Sequence, residues 1–209
     1  MQTHNADSQA AMTHETALQA LLDGNARFVR GEREARDYGQ QISATAGGQW
    51  PFAVVLGCID SRAPVEILFD QGIGDVFSAR VAGNASNPEL LGSMEFACKV
   101  AGAKLVLVLG HTSCGAIKGA CDGVELGNLT STLAPLMPAV DAVAGGFDAD
   151  SRNSGNADFV QAAAEENVRK TMAAIRSDSP LLGEMEAAGE IAIVGAMYDV
   201  GSGQVSPIS

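Results

Sequence analysis

Basic residues are scarce in this sequence. Thirteen Lys and Arg stand against 25 Asp and Glu, for a net charge of −12. General nucleic-acid binding needs a basic footprint, so this balance argues against it. It argues equally against docking on an anionic membrane surface. Long apolar runs are absent too, and none approaches the ~20 residues that span a bilayer. The first sixteen residues are polar and lack a basic stretch followed by an apolar one, so no secretory signal is read there. The expected compartment is the cytoplasm, where four cysteines read as thiols or metal ligands rather than disulfides. Charged residues make up only 18% and apolar residues 46%, which argues against intrinsic disorder. With 209 residues the chain is read as one domain. At that length roughly 70% of the unfolded surface can be buried, and no disulfide staple is needed.

What is present is an alternation of short apolar runs and helical stripes. Leu18, Leu21, Leu22, Phe28 and Val29 share one face of Ala17–Val29, which predicts a helix. The polar stretch Arg30–Gln49 reads as a connection. Phe52–Leu56 ends in Gly57-Cys58 and reads as a buried strand, with Val76–Val81 a second candidate. Asn87-Pro88-Glu89 opens a helix: a capping side chain, a proline suited to the first position, and an acid matched to the dipole. Lys104–Leu109 predicts a strand running into Gly110-His111. Helices are expected over Cys114–Cys121, over Leu129–Val143 with interruptions at Pro135 and Pro138, and over Phe159–Arg176. Ala144–Asn156 reads as a surface loop. Glu190–Met197 is a further buried strand, and Gln204–Ile208 a short edge strand. This order predicts an α/β fold, a mainly parallel central sheet flanked by helices. Such sheets carry ligands beyond the carboxyl ends of their strands.

Two segments follow predicted central strands and carry metal-binding side chains. One is Cys58-Ile59-Asp60-Ser61-Arg62, the other His111-Thr112-Ser113-Cys114-Gly115. Two thiolates and an imidazole make a zinc set with a fourth position left open. Cys114 would lie near a helix N-terminus, where the dipole favours a thiolate. The competing reading is two buried cysteines and a satisfied core histidine. Asp60 and Arg62 form either a carboxylate held beside the metal or an ordinary ion pair. Cys98 and Cys121 read as small core residues, and Glu165-Glu166 as a solvated face.

Cys58-x-Asp60-x-Arg62 together with His111-x-x-Cys114 resembles the β-class carbonic anhydrases. FSARVAGN at Phe77–Asn84, GSMEFA at Gly92–Ala97 and GHTSCGAIKG at Gly110–Gly119 extend the likeness. It runs from Gln49 to Asn128 and more weakly to Tyr198. The resemblance implies a single domain with an N-terminal helical arm over 1–48 and an α/β zinc-binding core over 49–209. It implies one Zn²⁺ per chain on Cys58, His111 and Cys114, with Asp60 and Arg62 as a catalytic dyad. Asp60 is also the candidate fourth ligand in a closed form. Gln49, nine residues before Cys58, would donate to bound bicarbonate. Phe77, Phe96 and Val81 would wall the CO2 pocket; position 96 is often Tyr in the family.

The implied activity is that of a lyase: reversible hydration of CO2 to bicarbonate and a proton by zinc-bound hydroxide. Hydrolysis of carbonyl sulfide or carbon disulfide, or a non-catalytic zinc or thiol module, are the alternatives. A homodimer or homotetramer is implied, with N-terminal helices across the partner and Gln49 acting in the neighbouring site. One group in the family has an allosteric bicarbonate site built from Trp, Arg and Tyr. Arg80 and Tyr198 match it, but Val55 stands at the Trp position, so the open form is expected here, with Asp60 paired to Arg62. Two thiolate donors imply activity that rises toward alkaline pH. Besides His111 only His4 and His14 remain, both outside the matching region, so no histidine proton shuttle is named.

Overall fold

A computed structural model describes residues 3–208. The chain opens with three helices, α1 (Ala6–Ala10), α2 (His14–Arg30) and α3 (Tyr38–Thr45). Thr13 caps α2 by accepting from the Thr16 amide, and Gly31 ends it at φ 70°. α3 corrects the expectation of a plain connection over Arg30–Gln49. Asp37 starts this helix by accepting from the Gln40 amide. With Ile42 exposed and only Gln41 buried, it has no apolar stripe to betray it.

The core elements then follow as β1 (Ala53–Gly57), α4 (Val65–Leu68), β2 (Val76–Arg80) and α5 (Pro88–Glu95). Asn87 caps α5 with Pro88 in its first turn, as its sequence predicts, and one π-turn, Phe96–Val100, continues it. After these come β3 (Leu105–His111), α6 (Gly115–Cys121), α7 (Gly127–Leu133), α8 (Met137–Ala144), α9 (Ala157–Asp178) and α10 (Pro180–Ala187). Two last strands, β4 (Ala192–Tyr198) and β5 (Val205–Ile208), close the chain.

The strands form one sheet in the order β2-β1-β3-β4-β5. The first four are parallel, and β5 pairs antiparallel with β4. The α/β fold with a mainly parallel sheet is therefore as expected. β1 and β3 are buried along their whole length, which is why they read as unbroken apolar runs rather than alternating ones. Val54, Leu56, Val106, Val108 and Ile193 face one layer of helices, α5, α6, α8, α9 and α10. Ala53, Val55, Leu105, Leu107 and Leu109 face the other layer, made by α2 and α4. Each large aliphatic side chain buried there contributes about 1.5–3 kcal/mol.

α9 lies directly on the sheet backbone. A Cβ on Gly110 would come within 2.6 Å of Val168 Cγ2, and one on Gly195 within 2.7 Å of Val168 Cγ1. Absent side chains on β3 and β4 thus set the depth at which α9 sits. On the opposite face, Ala17 and Leu21 of α2 are fully buried with Phe52 and Phe69. Asn25 donates to the carbonyls of Leu68 and Gly203 and accepts from the Val205 amide. Gln9 of α1 donates to the carbonyls of Pro51 and Ala101. These contacts pack the described part of the arm on its own core.

Candidate metal centre

β1 and β3 are parallel neighbours in register, Gly57 opposite Leu109. Their carboxyl ends therefore deliver Cys58 and His111 to the same edge of the sheet. Cys114 follows one turn later as the N-cap residue of α6, after Ser113 has turned the chain at φ 55°. The donor atoms of Cys58, His111 and Cys114 all lie within 4.8 Å of one another, and all three residues are buried.

Three features of this cluster fit a zinc ion. Two thiolates bound tetrahedrally at about 2.3 Å place their sulfurs about 3.8 Å apart; the Sγ atoms of Cys58 and Cys114 are 3.9 Å apart. His111 Nδ1 lies 3.0 Å from the Thr112 carbonyl oxygen, which assigns the proton to Nδ1. Nε2 is then a buried lone pair with no hydrogen-bond partner among the described residues. The thiols also divide their protons unequally. The hydrogen bond from Cys114 lowers the Cys58 pKa, and the same contact with burial raises that of Cys114. Burial opposes the imidazolium of His111, but Cys58, the Thr112 carbonyl and the Asp60 charge together outweigh it and raise its pKa.

Asp60 stands beside the cluster, its Oδ2 3.9 Å from His111 Nε2. Arg62 grips both of its oxygens: Nε donates to Oδ1 at 2.9 Å and Nη2 to Oδ2 at 2.7 Å. The Arg62 amide adds a third bond to Oδ1 at 2.9 Å. Arg62 holds the Asp60 carboxyl well below the usual carboxylate range, against a smaller opposing effect of burial. The bidentate fork leaves Asp60 facing the cluster as a fixed anion.

Arg80, part of an incomplete match to the allosteric set, has a structural task at the cluster. Its Nε donates to the Cys58 carbonyl at 2.8 Å and its Nη2 to the Asp60 carbonyl at 2.6 Å. It clamps the turn that carries both residues. Tyr198 is buried at the end of β4, opposite His111, and Val55 is buried within β1. Two further contacts have no local sequence signal: the Gly83 amide donates to Cys58 Sγ at 3.4 Å, and Asn167 Nδ2 donates to the Gly83 carbonyl at 2.8 Å.

The remaining site residues divide. Phe77 and Phe96 meet edge to face with centroids 6.2 Å apart. They line an open cavity of about 580 Å³ along the outer edge of β2, with Arg80 and Leu90 on its wall. Val81 is half-buried and packs on the same side as Phe77. Gln49 is not brought to this group within its own chain. It is exposed and precedes β1, whereas Cys58 follows it. At a rise of about 3.3 Å per residue, β1 alone puts about 17 Å between them. His4 packs on Phe52 at that same far end, and His14 pairs with Glu15 on α2. Cys98 is buried away from the cluster, and burial pushes its thiol up to about 12. Cys121, half-buried, is pushed up to about 11 by burial and then by Asp122. Glu165 and Glu166 pair with Arg169 and Lys170 along the exposed side of α9.

Comparison with known proteins bears on the same residues. The family described as carbonic anhydrase matches residues 53–205, from the first strand to the last. The chain belongs to the carbonic anhydrase family. Carbonic anhydrase 2 of Mycobacterium tuberculosis is 37% identical over 191 residues, covering 90% of this chain and 89% of that protein. The crystal structure of the β-carbonic anhydrase CafA of Aspergillus fumigatus superposes with a TM-score of 0.72 at 27% identity, covering 93% of this chain and 90% of that one. A structure described as one of two tetrameric β-carbonic anhydrases from Sordaria macrospora gives 0.71 at 25% identity, covering 93% and 98%. This places the chain in the β class of the family, as a carbonate dehydratase, a lyase that hydrates CO2.

Proposed function

We propose that reversible CO2 hydration takes place at the Cys58–His111–Cys114 cluster, with one zinc ion held per chain. The observation that carries this reading is the orphaned His111 Nε2, converging with two thiols beside a carboxylate already fixed by arginine. Zinc bound there would supply a Lewis acid that makes hydroxide available near neutral pH. Asp60 remains ionised because Arg62 holds it. Its carboxylate would accept the O–H of the attacking hydroxide and so aim the oxygen lone pair away from itself. Arg62 in turn stops Asp60 from rotating into the cluster, which keeps the open form. Arg80 fixes the carbonyls on either side of Ile59 and thereby the spacing of Cys58 and Asp60. Phe77, Phe96 and Val81 supply apolar surface for CO2, which has no charge to offer a polar wall.

Gln49 acts in the site of a second copy of the chain, donating its carboxamide to bicarbonate. Its exposure and its place at the far end of β1 support this reading, because within one chain it has no route to Cys58. A homodimer or homotetramer in the cytoplasm follows as the working assembly. Among the described residues no helix is long and apolar enough to cross a membrane.

Stopped-flow CO2 hydration by zinc-quantified protein at mildly alkaline pH tests the activity. Hydration should scale with zinc content up to one per chain, and Asp60→Asn should retain zinc while losing most turnover. Full zinc with no hydration at any pH would refute the assignment. Mixing tests Gln49: inactive Gln49→Ala and inactive Asp60→Asn chains, refolded together, should regain activity, because each mixed dimer then holds one intact site. No recovery in mixed dimers would place Gln49 outside the partner's site.

A further inference from the structure

We propose that Asn167 is a positioning residue of the metal centre, holding the Gly83 amide against the sulfur of Cys58. The inference rests on the reading of Cys58 as a metal ligand. It begins with α9, which Gly110 and Gly195 allow to lie close on the sheet. The face it presents there is mostly apolar: Val160, Ala163, Ala164 and Val168 are buried around Asn167, with Thr171 the other buried polar side chain. Asn167 itself is 2% exposed, and asparagine is a poor residue for a helix interior. Its Nδ2 reaches across to the Gly83 carbonyl.

Only glycine fits at position 83. Its backbone is left-handed at φ 76° and ψ 11°, a conformation that glycine adopts without cost. Any Cβ there would meet Leu136 Cδ1 at 2.6 Å. The next residue, Asn84, is left-handed as well, at φ 46°. Two successive residues in this region make a turn that persists only when its surroundings impose it. The imposed pose turns the Gly83 carbonyl to α9 and its N–H to Cys58 Sγ. A hydrogen bond to a thiolate sulfur withdraws electron density from it and fixes the direction of its lone pairs. Asn167 therefore acts on the metal donor through the Gly83 residue, without touching the metal or substrate. Such supporting contacts typically change metal affinity by about 10–100-fold.

The test loads the full-length protein with ¹¹³Cd in place of zinc and records proton–cadmium correlation spectra. Coupling of cadmium to the Cys58 β-protons and the His111 ring identifies the ligands. Coupling to the Gly83 amide proton, transmitted through the hydrogen bond, is the expected sign of the strap. In Asn167→Leu and Asn167→Asp that coupling should vanish. The cobalt-substituted forms should show their thiolate charge-transfer band at lower energy, and release of metal to a chelator should accelerate by about 10–100-fold. Val168→Ala, which loosens the same helix, should lower stability while leaving the band and the coupling in place. Cadmium coupled to Cys58 but not to the Gly83 amide in the wild type would overturn the proposal. So would a folded Asn167→Asp protein with wild-type band and release rate. Absence of any coupling to Cys58 would instead remove the ligand reading, and the proposal with it. The wild-type spectrum decides the matter even if neither substitution at Asn167 folds.

Discussion

Replacing Asp70 by Asn removes one charge from a fully buried ion-pair group and little else. Asp70 is 2% exposed, follows α4, and accepts from Arg27 Nε at 2.7 Å, from the Arg36 guanidinium, and from the Glu34 amide at 3.2 Å. It thus ties α2 and the segment before α3 to the loop that leads into β2. Its backbone is left-handed at φ 47°, which asparagine tolerates as readily as aspartate, so the exchange isolates the charge. Arg36 is nearly as buried, its side chain 5% exposed, and would face an amide instead of an anion. Removing one partner of a buried pair costs about 3–5 kcal/mol. Glu34, 3.7 Å from Arg27, offsets part of this and favours the lower end. For a chain of this size that loss lowers Tm by about 6–20 °C.

Acid adds a second signature. Burial pushes the Asp70 carboxyl up, but the hydrogen bonds from Arg27 and Arg36 more than offset it, so its folded pKa is lowered. A group depressed in this way contributes fully above its unfolded pKa of about 3.9 and loses its contribution as pH falls through the folded value. The gap between wild type and variant should therefore be constant from neutral pH down to about 5 and narrow as the carboxyl protonates. Urea unfolding followed by circular dichroism at pH 7 and along the acid limb measures it. A variant within about 1 kcal/mol of wild type at pH 7, or a gap unchanged by acid, would refute the reasoning.

Gly24→Ala should be among the most damaging single changes. Its Cβ would lie 1.8 Å from the Phe69 carbonyl oxygen, so α2 must lift off α4, at about 4 kcal/mol or more; a Tm near wild type would show that the helix shifts freely. Metal removal by a chelator should abolish hydration while leaving the far-ultraviolet circular dichroism unchanged, because the apolar layers consist mainly of aliphatic and aromatic side chains, with only Cys58 and Cys114 of the cluster among them; collapse of the spectrum would contradict this. Turnover should rise from acid toward alkaline pH, since two thiolate donors neutralise a divalent cation and weaken its effect on water. A flat pH–rate profile would count against a two-thiolate donor set.

Much of the architecture was legible because its causes are local. β1 and β3 could be read from continuous apolar runs, α5 from Asn87-Pro88-Glu89, and α9 from its stripe of buried residues. α3 escaped because a short polar helix has no stripe. α1, α4 and α10 were not anticipated either: α1 and α4 are only five and four residues long, and α10 follows α9 after a single residue. The donors Cys58, His111 and Cys114, with Asp60 and Arg62, were visible as residue types at the ends of strands. That β1 and β3 are neighbours in register is a tertiary fact, and it alone brings Cys58 to His111. The same is true of Gln49, whose nine-residue separation from Cys58 in the chain becomes the length of a strand in space. Gly83 and Asn167 lie 84 residues apart, and no periodicity links them. The sequence by itself determined which segments become strands and helices and which side chains can bind a metal, because propensity, capping and turn chemistry act between near neighbours. Only the tertiary structure decided how these meet, because strand order and the depth of α9 depend on packing across the whole sheet.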